Sequence, residues 1–136
     1  MSCVAEIDIA KTVQVQLPLG LLGFEQIKTY SLITKPDQEP FLWLAVPEGE
    51  DLAFLVVPPS FVMPDYAPDL SDEDVDFLEI RNPNDAIVLN IVTFRSEGSA
   101  TVNLKGPIVI NRHTMIGKQV VLSRSDYPIQ HPIRSA

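Results

Sequence analysis

Seven carboxylates crowd the stretch between residues 65 and 79: Asp65, Asp69, Asp72, Glu73, Asp74, Asp76 and Glu79. At that density carboxylates can hold a hard cation, share a proton for acid–base work, or attract a basic surface. The calcium pattern begins well, with Asp72, Asp74 and Asp76 alternating as the first ligands of an EF-hand loop do. It then fails, because the sixth position is Phe77 instead of Gly and the twelfth is Pro83 instead of Glu. Acid–base catalysis needs a neighbour that drives one carboxyl pKa upward, and a polar helix start supplies none. The remaining reactive types are sparse. His113 and His131 stand eighteen positions apart with no ligand spacing and read as surface or loop histidines, and Cys3 is the only cysteine. No nucleophile elbow, P-loop or dinucleotide fingerprint occurs. The expectation is a protein that is not an enzyme, with no metal and no cofactor.

What the acids do supply is a field. The chain's 136 residues carry a net charge of −8, which argues against a phosphate backbone as the direct ligand. The layout is sharper than the sum. Residues 1–35 are neutral, residues 36–80 hold twelve acids and no Lys or Arg, and residues 81–136 carry +4. A solvated acidic face and a surface that steers a basic protein partner are the two readings of that middle third.

The elements that position these acids follow from periodicity. Period-two patterns mark nine short strands: Val4–Ile9, Val13–Leu17, Tyr30–Thr34, Phe41–Val46, Ala53–Val57, Ala86–Phe94, Ala100–Leu104, Pro107–Asn111 and Lys118–Leu122. Phe24–Ile27 fits one helical turn. No long helix-period segment separates the strands, so the expected class is all-β and mainly antiparallel, a small sandwich or barrel forming a single domain over 1–136. The exception is one short acidic helix near 71–80. Ser71 can cap it, three acids fill its first turn, Leu70 and Val75 sit at staple positions, and Asn82-Pro83 stops it. Capping explains two or three of the acids, but neither Asp65 nor Asp69.

Pro58, Pro59, Pro64 and Pro68 stiffen the approach to this helix and predict an ordered, exposed loop of mostly extended residues. Phe61, Val62, Met63 and Tyr66 ride on it. They either cover the open end of the barrel or form an apolar contact patch inside an acidic rim. The N-terminus lacks a secretory pattern and no apolar run approaches a membrane span, so the expected compartment is the cytoplasm.

Several segments in order resemble the flagellar assembly factor FliW family. They are Pro18-Leu-Gly-Leu-Leu-Gly-Phe-Glu25, Asp51-Leu-Ala-Phe-Leu-Val-Val-Pro58, Pro64-Asp-Tyr66 with Leu70-Ser-Asp-Glu-Asp74, and Ile91-Val-Thr93. The C-terminal block Asn103-Leu-Lys-Gly-Pro-Ile-Val-Ile-Asn111, Gly117-Lys-Gln-Val-Val-Leu122 and Tyr127-Pro-Ile-Gln-His-Pro132 is the most specific. Two positions depart from the family pattern: Leu22 stands where Pro is usual, which should loosen that turn, and Gln130 stands where Arg is common. The resemblance implies a small non-catalytic β-barrel-like protein, a monomer when free. It also implies two protein partners, flagellin before export and the RNA-binding translational repressor CsrA. By binding both, it would couple flagellin translation to export and filament assembly. On this reading the repressor-facing surface is Asp65, Asp69, Asp72, Glu73, Asp74, Asp76 and Glu79 with Pro64 and Tyr66 as anchors, and Phe61, Val62 and Met63 are candidates for flagellin. The alternative is a β-barrel nucleic-acid-binding module using the basic C-terminal third, with Arg112, Lys118 and Arg124.

Overall fold

A computed structural model describes residues 11–47, 52–94 and 98–133. The strand expected at Val4–Ile9 lies outside these residues. Four strands form an antiparallel meander: β1 (Lys11–Gln16), β2 (Thr29–Thr34), β3 (Leu42–Ala45) and β4 (Ala53–Val57). Next to β4 lies the long strand β5 (Ala86–Phe94), which organises the rest. Its end pairs with β6 (Ala100–Val102), which in turn pairs with β9 (His131–Ile133); its start pairs with β7 (Ile108–Asn111), which pairs with β8 (Gly117–Gln119). Between Val92↔Val102 and Leu89↔Ile108, two residues of β5 face five of the other chain segment, and the excess bulges out as a loop. A parallel bridge between Gln16 and Ile116 draws β1 to the β7–β8 turn, yet the nine-stranded sheet does not close into a barrel. The all-β, mainly antiparallel expectation holds.

Alternation of side chains divides the interior. Val15, Leu17, Tyr30, Leu32, Leu44, Val56, Ile108 and Ile110 fill the main core. Val57, Val92, Val102 and Leu104 make a second cluster, and Leu78, Val109, Val120 and Leu122 a third, under the helix. All four residues of β7 are buried, with Ile108 and Ile110 in the main core and Val109 in the third cluster. The strand is therefore a partition between two apolar layers. Gly20, at φ 69°, makes the turn after β1; a Cβ there would lie 2.5 Å from Glu25 Cα, so backbone approach as well as φ demands glycine.

Several local expectations are refined or corrected. Phe24–Ile27 does make a single turn, with Ile27 N–H donating to Phe24 O at 3.1 Å, and a second turn precedes it, in which Leu21 and Phe24 form an isolated bridge and Phe24 N–H donates to Leu21 O at 2.7 Å. The departure at Leu22 does not leave this turn loose, because Leu22 N–H donates to Gln119 Oε1 at 2.9 Å, a bond proline could not make. The loop after β4 is coiled instead of extended, with a 3₁₀ turn at Pro59–Phe61 and Met63 N–H donating back to Pro59 O at 2.8 Å. Its prolines preset the turn φ. β9 was not among the expected strands, since Pro132 argues against a ladder; as an outer strand of the sheet path it tolerates one. His131 consequently lies in a strand opposite Val102, half-buried, and is not a loop histidine.

The helix α1 (Asp72–Leu78) forms where its caps require. Ser71 Oγ accepts from Asp74 N–H at 3.1 Å. At the other end Glu79 adopts φ 57°, ψ 39°, and Ile80 N–H donates to Val75 O while Glu79 N–H donates to Asp76 O, a Schellman close made without glycine. Asn111, only 3% exposed at the end of β7, then receives the helix. Its Nδ2 donates to Leu78 O at 2.8 Å and Glu79 O at 3.2 Å, while its Oδ1 accepts from His113 N–H at 2.8 Å and Thr114 N–H at 3.3 Å. One amide thus satisfies helix carbonyls and turn amides together.

Two substitutions test this account. Asn111→Ala leaves one buried and one part-buried carbonyl and two part-buried amides without their partner and should lower unfolding stability by about 2–4 kcal/mol in urea titrations. Glu79→Gly removes the left-handed penalty and should raise it by about 0.5–1 kcal/mol.

Candidate functional site: the acidic helix face

The acidic stretch runs through the loop before α1, the helix and its C-cap, and the structure does not treat its residues alike. Asp65, Asp69, Asp72, Glu73, Asp76 and Glu79 are exposed. Asp74 is 9% exposed and pairs with Lys118 Nζ of β8. The same Nζ stands 5.6 Å from the Phe77 ring, a cation–π contact that covers part of α1. Among the described residues the only other ion pair is His113–Asp85 at 3.0 Å, so none of the six exposed acids has a cation within pairing distance. Helical periodicity separates them further: Asp72 and Asp76 stand one turn apart on one face of α1, with Glu79 at its C-cap, whereas Glu73 lies toward Phe77.

Asp85 completes the turn that follows. Its Oδ2 accepts from Arg81 N–H at 3.2 Å and Asn82 N–H at 3.1 Å, fixing the 3₁₀ turn at Pro83–Asp85. The hydrogen bond to His113, then the Asn82 amide, hold the Asp85 carboxyl below the ordinary carboxylate value.

The loop residues split in the same way. Phe61 is 51% exposed and meets Phe41 edge-on at 5.7 Å. Val62 and Met63 are half-buried and pack against the second core cluster. Pro64 is exposed. Tyr66 points inward: its hydroxyl donates to Leu104 O at 2.6 Å, and its ring lies 4.6 Å from that of Tyr127, whose own hydroxyl accepts from Ala67 N–H at 3.0 Å. Burial pushes the Tyr66 phenol above its ordinary pKa. This pair of tyrosines pins the Pro-rich loop to the body and sets where the acidic face stands. Sequence reading took Tyr66 for a surface anchor; that Tyr127 and Leu104 are its partners rests on contacts across 38 and 60 positions, which no local pattern announces.

Alongside α1 runs a groove of about 430 Å³, and none of Phe61, Val62 and Met63 lines it. Leu70 and Val75 form one wall, Arg81 to Pro83 the other, and Ala86, Val88 and Val109 the floor. A smaller cavity of about 250 Å³ lies elsewhere, among Leu22, Ile91, Thr101, Gln119 and Ile129, and includes the divergent Gln130. Among the described residues no group of His, Cys, Asp and Glu could hold a metal ion, and no helix is long and apolar enough to cross a membrane. Of the basic trio considered for nucleic acid, Arg112 is exposed but Lys118 is engaged by Asp74.

The chain as a whole is similar to known proteins. The model of the FliW protein family matches residues 2–133. The flagellar assembly factor FliW of Natranaerobius thermophilus is 37% identical over 130 residues, covering 94% of this chain and 86% of that protein. The factor of the same name from Clostridium botulinum strain Alaska E43 is 40% identical over 113 residues, covering 82% and 80%. The crystal structure of a flagellar assembly factor FliW superposes with a TM-score of 0.80 at 32% identity, over 90% of this chain and 86% of that one. With likeness in sequence over nearly its whole length and in fold, the chain belongs to the FliW family of flagellar assembly factors, a non-catalytic role.

Proposed function

We propose that this chain binds flagellin in the cytoplasm as a chaperone before export and antagonises the RNA-binding repressor CsrA, so that flagellin translation follows filament assembly. The observation that carries this reading is the exposed acidic face. Six carboxylates between residues 65 and 79 lack any cation among the described residues. An RNA-binding repressor presents a basic surface, and such a field both draws it in and repels the phosphates it would otherwise hold. Inhibition then works without a plug in the RNA groove.

Within this reading the six exposed acids and Pro64 face the repressor. Asp74 and Tyr66 act indirectly, by holding the helix and the loop in place. Phe61 is the contact offered to flagellin, with Val62 and Met63 as its footing. The two sites adjoin along one loop, which gives exclusive binding a steric basis.

Replacing Asp72, Glu73 and Asp76 together by Lys should slow association with CsrA by at least about tenfold at low salt and flatten its salt dependence, as measured by biolayer interferometry. Asn, Gln and Asn at the same three positions control for lost helix-dipole stabilisation. Unchanged kinetics in a folded triple-Lys protein would sink the proposal. A stable ternary complex with flagellin in gel filtration would refute the shared site.

A further inference from the structure

The cavity of about 250 Å³ at the Leu22 turn shares no lining residue with the acidic stretch or with the groove along α1. Its floor is the edge of the main core: Leu21 belongs to that core, and Phe54 and Ile91 pack against it. One side is a sheet face, where Thr93 of β5 stands opposite Thr101 of β6. Leu22 and Ile129 form an apolar rim and are 63% and 61% exposed. None of the ten residues that line the cavity is ionisable.

Two amides set its hydrogen-bonding character. Asn103 Oδ1 accepts from Lys105 N–H at 3.0 Å and Gly106 N–H at 2.8 Å, which leaves its Nδ2 without a partner among the described residues. Gln119 Oε1 accepts from Leu22 N–H, and its Nε2 donates one hydrogen to Gly106 O at 3.1 Å and keeps the other. A Cβ on Gly106 would stand 3.1 Å from Asn103 Nδ2 and 3.2 Å from Gln119 Nε2, so the two donors lie close together over one glycine.

We infer that this cavity docks an uncharged segment of a partner protein, seating one apolar side chain on Phe54 and Ile91 and setting the neighbouring peptide carbonyl on the donors of Asn103 and Gln119. Charge is the first selector: an ionic group would lose its hydration here with no counter-charge in the lining to replace it. Hydrogen bonding is the second. The amides have donors to spare and their acceptors are taken, and a peptide carbonyl is the neutral acceptor that accompanies every apolar side chain. Size is the third. The cavity falls below the roughly 300–1,000 Å³ typical of whole small-molecule ligands, while apolar surface continues outward over Leu22 and Ile129. One anchored side chain with its flanking chain laid across the rim fits that shape. Because Thr93 and Thr101 already pair within the β5–β6 ladder, the segment lies on a sheet face and adds no strand there. Backbone groups hold both amides before any partner arrives, so little ordering is needed on binding.

The inference goes beyond the acidic-face reading and does not rest on it. The probe is a capped neutral peptide, acetyl-Ser-Gly-Leu-Gly-Ser-amide, titrated into the full chain while backbone amide shifts are followed by NMR. Three twins accompany it, one with Ala for the Leu, one with Asp for both Ser and one with Lys for both Ser. The Leu peptide should shift Leu22, Thr93, Thr101, Asn103, Gln119 and Gln130 in a saturable way, with an affinity that salt leaves unchanged. Each twin should bind at least about tenfold more weakly. Asn103→Asp keeps an acceptor for the Lys105 and Gly106 amides but removes the free donor, and it should weaken the Leu peptide about tenfold. Should that variant unfold, Ile129→Lys on the exposed rim should weaken it to a similar degree. No binding, equal binding of any twin, or shifts centred on Val75 or the Phe61 loop would overturn the inference. So would N-acetyl-leucinamide binding as tightly as the peptide, since the site would then take a free small molecule. Loss of CsrA binding with these shifts intact removes only the repressor reading.

Discussion

The acidic face depends on a single buried amide. Asn111 closes β7 and offers each half of its side chain to a different element, the Nδ2 to the last carbonyls of α1 and the Oδ1 to the amides of the β7–β8 turn. A helix of seven residues has no stability of its own in water, because nucleation consumes most of what so few bonds return. It persists here because its end carbonyls are taken up by the body and because Leu78 sits in the third core cluster. No hydrophobic residue could replace Asn111 without loss, since four backbone groups, one buried and three part-buried, converge on it. The place and angle of every carboxylate on α1 follow from that anchor.

β8 extends the same logic with two adjacent residues. Lys118 reaches Asp74 and Phe77 on α1, while Gln119 binds Gly106 O and Leu22 N–H toward the smaller cavity. Alternation along a strand sends neighbours to opposite faces, so one short strand secures both the acidic helix and the Leu22 turn. Its own position is fixed by close packing: a Cβ on Gly117 would come within 2.8 Å of Ile110 Cγ1 and 2.9 Å of Val109 O. Nearby, Asn90 and Tyr66 tie the Pro-rich loop to the Asn103–Leu104 backbone.

How much of this was legible in the sequence depends on the reach of each interaction. The helix was readable because its signals are local: a Ser cap, acids in the first turn, a staple pair and Asn82-Pro83 beyond. The strands of the meander were readable because one face is buried and period two survives. β9 was hidden by Pro132, and the 3₁₀ turn at Pro59–Phe61 by prolines that suit extended and turn backbones alike. Asn111 and Tyr66 stood in plain view as residues, yet their roles depend on partners about 30 to 60 positions away, and only the assembled fold brings those together. The groove was illegible for the same reason, since its walls come from three separate stretches.

The acids themselves divide into those the fold can use and those it cannot. Asp72, Glu73 and Asp74 sit where the helix dipole favours negative charge, and Asp74 also finds Lys118. Asp76 and Glu79 sit toward the opposite end, where the dipole disfavours them, and Glu79 bears a left-handed backbone that glycine would adopt freely. Asp65 and Asp69 belong to no helix and find no cation among the described residues. Mutual repulsion among all of these raises the free energy of the compact state. Among the described residues no ion pair offsets that cost at the six exposed positions. Local rules are broken most consistently where a surface serves something other than its own fold, and here the breaches fall within the one stretch between residues 65 and 79.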